Sequence, residues 1–82
     1  MNSNNKIQYN ELAKAKIQDN RNAVISECSK GGFTLAQQIE IKETNGFMTN
    51  VFMRNAIHID GKEGLLNLRD AINVALKVLE EK

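Results

Sequence analysis

The chain of 82 residues contains no proline, so nothing in it forces a break inside a helix or a strand. It has a single cysteine, Cys28, which cannot close an internal disulfide and fits a reducing compartment. No apolar run approaches the ~20 residues that span a bilayer. The segment Met1 to Lys6 lacks the apolar stretch of a signal peptide. These absences lead to the expectation of a cytoplasmic protein that engages no membrane. Charge of one sign is also lacking: 11 Lys and Arg face 10 Asp and Glu, a net charge of +1. There is no global basic field to drive non-specific nucleic-acid binding, and any such site must be a local patch.

What is present is ordinary globular material, with 41% hydrophobic and 26% charged residues. The length allows one domain with one small core. A core of that size leaves a thin stability margin, for which oligomerisation is a natural remedy, and a homodimer is expected. Residues 1–9 are polar and Asn-rich and are expected to be mobile. Residues 10–82 contain no repeat and no linker and read as a single domain.

Asn10 can cap a short helix from Glu11, with Leu12, Ala13 and Ile17 near one face. Asp19-Asn20-Arg21-Asn22 are four poor-to-middling helix formers in a row. Two readings of 23–30 stand. Ala13, Ile17, Val24 and Cys28 share helical spacing, which would make one long helix from Glu11 to Ser29 with Gly31 as its C-cap. Alternatively, Ala23 to Cys28 is a strand turned by Ser29-Lys30-Gly31-Gly32 into the next. The polar break before this segment and the clear strand after it favour the hairpin.

From Phe33 to Lys42, apolar Phe33, Leu35, Ile39 and Ile41 alternate with polar or small neighbours, a period of two. Asn45-Gly46 is a strong hairpin signal, expected as a type I′ turn. Phe47 to Arg54 then returns, with Phe47, Val51 and Met53 on one face and Met48, Asn50, Phe52 and Arg54 on the other. Asn55 marks a bend or bulge, and Ala56 to Ile59 is a further short strand with Ile57 and Ile59 inward. Asp60 and Glu63 resemble a capping box for a last helix from Gly61 to about Leu79. Leu65, Leu68, Ile72, Ala75 and Leu79 form its apolar stripe, widened by Leu76. The expected fold class is therefore α+β: a short N-terminal helix, an antiparallel β-sheet of three to four strands, and a C-terminal amphipathic helix packed on the sheet. The expected core comprises Phe33, Leu35, Ile39, Ile41, Val51, Ile57, Ile59, Leu65, Leu68, Ile72 and Leu76.

Catalytic and metal chemistry find little to work with. His58 is the only histidine, whereas metal sites usually draw on three or four ligands at characteristic spacing. It reads as an outward strand residue. Cys28 has no base beside it in sequence and reads as a small half-buried thiol. Lys30-Gly31-Gly32 lacks the rest of a phosphate-binding loop and reads as a glycine turn. No enzyme, cofactor, metal or small-molecule substrate is expected.

The face carrying Met48 and Phe52 is more informative, since one helix covers one side of a sheet and large apolar residues on the other side call for a partner. Arg54 lies on that face, and Lys42 joins it across the turn. Aromatics beside cations on a sheet suit base stacking and phosphate contact. A dimer interface or the N-terminal helix covering this face is the plainer explanation.

The order of strands and helix from Ala23 to Glu81 resembles the unit shared by the single-stranded-DNA-binding transcriptional coactivators, the Whirly proteins and the PUR-domain proteins. The similar stretches are Phe33 to Ile41 with Asn45-Gly46-Phe47, and Ile57-His58-Ile59-Asp60 followed by Leu65 to Ile72. The resemblance is one of pattern and covers about three-quarters of the chain. It implies a last helix packed on the sheet or on a second subunit, and sheet contacts at Lys30, Lys42, Phe52 and Arg54. Two functions then compete. One is a single-stranded nucleic-acid-binding module using Lys30, Lys42, Met48, Phe52 and Arg54. The other is a protein-interaction module, such as a small regulator or an inhibitor made by a mobile element.

Overall fold

A computed structural model describes residues 6–82. Five strands precede one helix: β1 (Tyr9–Gln18), β2 (Arg21–Cys28), β3 (Phe33–Lys42), β4 (Met48–Phe52), β5 (Ile57–Ile59) and α1 (Lys62–Glu80). All strand pairings are antiparallel. The sheet runs β1-β2-β3-β4, and β5 pairs with the first part of β3, beyond the stretch that β4 occupies. The α+β class is as expected, and 23–28 is a strand.

The expected N-terminal helix is absent, and residues 9–18 form β1 instead. Glu11, Leu12, Ala13, Lys14, Ala15 and Lys16 are good helix formers, but intrinsic propensity is a weak prior. The same residues also alternate small with charged, and pairing along β2 exploits that alternation. Ala13 and Ala15 lie opposite Ile25 and Ala23, while Lys14 and Lys16 lie opposite Val24 and Asn22. Bulges between Glu11 and Ala13 and between Lys16 and Gln18 adjust the register. Residues 1–5 of the segment expected to be mobile lie outside the described residues.

Glycines set the two turns of the inner hairpins. Gly31 and Gly32 both have positive φ, at 106° and 79°. A Cβ on Gly32 would stand 2.7 Å from the Ile59 carbonyl oxygen, so this position needs glycine for both space and conformation. The second turn is not type I′, because Asn45 does not adopt positive φ and only Gly46 does, at 91°. The Gly46 N–H donates to the Glu43 carbonyl (3.0 Å) and the Glu43 N–H to the Phe47 carbonyl (2.7 Å). The loop is therefore longer than two residues, with a single left-handed glycine at its end.

The register defines two faces. One carries Leu12, Ala13, Ile25, Leu35, Ile39, Ile41, Val51, Ile57 and Ile59, and α1 begins on it. Gly64, in the first turn of α1, lies against the Ile59 side chain, which stands where a Cβ would go. The other face carries no helix among the described residues. The N-cap is Gly61 and no side chain bonds the first turn, so the expected box does not form: Asp60 stands one position before the cap, its carboxylate 3.2 Å from His58 Nε2.

The expected core is corrected in the same way. The helix Cα atoms come within 8 Å of β5 and of no other described element. Leu65 and Leu68 are half-buried beside β5, but Ile41, Val51, Ile57, Ile72 and Leu76 are each more than two-fifths exposed. The period-two and 3-4 patterns identified the side on which α1 starts, but of the expected core only Ile59 is buried: α1 leans off the sheet, and the buried residues of β2 and β3, namely Asn22, Val24, Ser26, Cys28 and Gln38, lie on the other side. The best-buried apolar residue is Val24, 1% exposed, in the middle of β2.

Candidate functional site

The helix-free face, here called the open face, is built from cross-strand rows. Side chains at paired positions stand on the same side of an antiparallel sheet. One row runs Lys16, Asn22, Gln38, Phe52 across four strands. The next runs Lys14, Val24, Ala36, and a third runs Glu11, Ser26, Thr34, His58. Tyr9 stands beside Cys28, and Lys42 stands beside Met48 near the far turn.

The gap between β4 and β5 shapes this face into a cleft. β4 ends at Phe52, and the Met53 N–H still donates to the Gln37 carbonyl (2.9 Å). The chain then bends through residues 53–56 before β5 pairs with β3 again. The floor left open consists of Ser26, Thr34 and Ala36, all small. Phe52 and Arg54 stand on one side and Tyr9 on the other, around a volume of 310 Å³. Phe52 is 53% exposed and Tyr9 58% exposed, so both rings are available.

Below the rings, the face is held by a buried polar cluster. Asn22 Nδ2 donates to Gln38 Oε1 (3.2 Å) and to Glu40 Oε2 (2.8 Å). Asn22 and Gln38 are almost fully buried, which polar side chains accept when they bond each other. Around them the open face presents four cations, Lys14, Lys16, Lys42 and Arg54, against three carboxylates, Glu11, Glu40 and Asp60, the last 3.2 Å from His58 Nε2. Glu11 lies 4.0 Å from Lys14, and Glu40 is tied to Asn22. The face thus has an excess of one positive charge, equal to the net +1 of the chain, and its cations lie on β1, at the end of β3 and just after β4.

Of the residues singled out from sequence, Phe52 and Arg54 meet at the cleft, and Lys42 and Met48 pair on the same face nearer the turn. Lys30 does not join them: it lies in the β2–β3 turn, exposed. Sequence reasoning missed Tyr9, Lys14 and Lys16, because reading 10–18 as a helix removed them from the sheet. The lysines at 14 and 16, separated by one alanine, were the available signal. Nor does an N-terminal helix cover Met48 and Phe52.

Among the described residues, no group of three or more His, Cys, Asp or Glu is placed to hold a metal ion. No helix among them is long and apolar enough to cross a membrane. Comparison of the chain with protein-family models, curated proteins and solved structures finds no match. The open face therefore has to be read from its own chemistry.

Proposed function

We propose that this protein is a non-enzymatic binding module that takes single-stranded nucleic acid on the open face of its sheet. The observation that carries the reading is the pairing of two exposed aromatic rings, Tyr9 and Phe52, across a small-residue floor, with Arg54, Lys14 and Lys16 on the same face. Aromatic rings accept any base on their flat faces, and flanking cations follow the phosphate chain. Lys42 and Met48 extend the path towards the β3–β4 turn, and Lys30 is not part of it. No step of bond-making chemistry is involved, and no cofactor is invoked.

The alternative is a protein-interaction module. Its support is β1, a ten-residue edge strand whose outer side has no partner strand among the described residues. Such an edge can accept another chain's strand. The lysines and the two bulges on β1 act against it, since both features blunt an edge.

Titration of a labelled single-stranded oligonucleotide at two salt concentrations separates these readings. If four cations contact phosphates, log affinity should fall against log salt with a slope of roughly −3, at about −0.7 per contact. Absence of binding at physiological salt, with a specific protein recovered in pull-down, would favour the interaction module.

A further inference from the structure

Two vacant surfaces lie on the helix side of the molecule. The second half of α1 exposes Ile72, Leu76 and Leu79, and the sheet beyond the helix exposes Ile41, Val51 and Ile57, all of them 41% exposed or more. No residue of α1 is buried. Between α1, from Leu65 to Asn73, and the sheet runs an apolar groove of 380 Å³ that includes Leu12, Ile25, Leu68 and Ile72. We infer that a second copy of this chain covers this side. In the resulting closed pair, each helix is buried against its partner, and both open faces remain free.

Three observations select a second copy over another occupant. The first is area. A monomer of 9.2 kDa has an accessible surface of about 4,900 Å², whereas this chain exposes 6729 Å². The excess is on the order of 1,000–2,000 Å², at or above the ~800 Å² that each partner loses in a standard interface. The second is shape. The radius of gyration is 15.8 Å with extents of 54 × 37 × 18 Å, against about 12 Å for a compact domain of this length. A protruding helix accounts for such a shape, and pairing absorbs it.

The third is charge. The helix and its last two residues carry Lys62, Arg69, Lys77 and Lys82 against Glu63, Asp70, Glu80 and Glu81. Four of each sign leave no net charge to repel an identical element. A bare helix and a bare sheet on one chain are also mutually complementary, which is what a two-fold contact needs, and a two-fold contact closes at two copies. This places the interface on the side opposite Met48 and Phe52, not on their face as the sequence suggested.

Sedimentation equilibrium and thermal melting of the full chain, without nucleic acid, test the inference over about a hundredfold range of concentration. The expected mass is twice 9.2 kDa, with a melting temperature that rises with concentration. Leu76→Glu combined with Leu79→Glu should shift the chain to monomer, and Phe52→Glu on the open face should leave the dimer intact. If the double variant fails to fold, the wild-type concentration dependence and the Phe52→Glu mass still decide. A wild-type monomer with a concentration-independent melting temperature would overturn the inference. So would open-ended assembly, a folded double variant that stays dimeric, or a dimer that Phe52→Glu dissociates. None of these outcomes depends on whether the open face binds nucleic acid.

Discussion

Phe52 is the last residue of β4, and its ring is half exposed over a floor of small side chains. Truncating it removes a stacking surface and little internal packing. Phe52→Ala and Tyr9→Ala should each cost ~1–3 kcal/mol of single-strand affinity while leaving the melting temperature nearly unchanged. Arg54→Ala should weaken binding to all sequences alike and flatten the salt slope by roughly one unit. Fluorescence titrations at several salt concentrations, paired with a melt of each variant, check these outcomes. A sharp fall in stability for Phe52→Ala would show that the ring is packed inside and would remove the stacking argument. Gly32 makes the opposite case. Its positive φ and the 2.7 Å approach to the Ile59 carbonyl predict that Gly32→Ala loses more than about 1 kcal/mol of stability, read from a urea transition.

At the scale of elements, β1 decides most about the site. As a strand it puts Lys14 and Lys16 on the open face and Ala13 and Ala15 on the helix face. As a helix it would have shielded the sheet and removed both cations. Lys14→Glu with Lys16→Glu should therefore lower nucleic-acid affinity and its salt dependence, with the circular dichroism spectrum unchanged. A variant that binds as well as the wild type would exclude β1 from the contact. The centre of the sheet carries the stability of the single chain. Val24, 1% exposed, should lose roughly 1–3 kcal/mol on replacement by alanine. Ile72→Ala, on the protruding half of α1, should act through self-association and show a concentration-dependent loss.

For the whole molecule, the two proposals combine into one consequence. A pair joined on the helix side presents two open faces to solvent, and a strand long enough to reach both binds as a bivalent ligand. Tethering makes the second contact intramolecular and can raise affinity by roughly 10²–10⁴ over one face. A long oligonucleotide should bind the wild type far more tightly than one that covers a single face. Leu76→Glu with Leu79→Glu should abolish that advantage while retaining the short-oligonucleotide affinity. Equal affinities for both lengths would mean that the two faces cannot be bridged.

Period-two alternation from Phe33 to Lys42, the glycines at 31, 32 and 46, and the 3-4 spacing of Leu65 to Leu79 were enough to read β3, the places of its turns and α1 from the chain alone, though not the type of the second turn. They are local features, written in neighbouring side chains and in backbone φ. Alternation also grouped Phe52 with Arg54 before any fold was seen, but it placed Met53 on the opposite face, whereas all three line the cleft because the chain bends after β4. What the tertiary structure decided was whatever depends on pairing over distance. Residues 9–18 have helix-forming side chains, and only hydrogen bonding along β2 makes them a strand. The cleft between Tyr9 and Phe52 joins positions from opposite ends of the sheet, with no trace in local pattern. The lean of α1 away from the sheet was equally hidden, because an apolar stripe states that a face seeks cover and does not state whether its own chain or another supplies it.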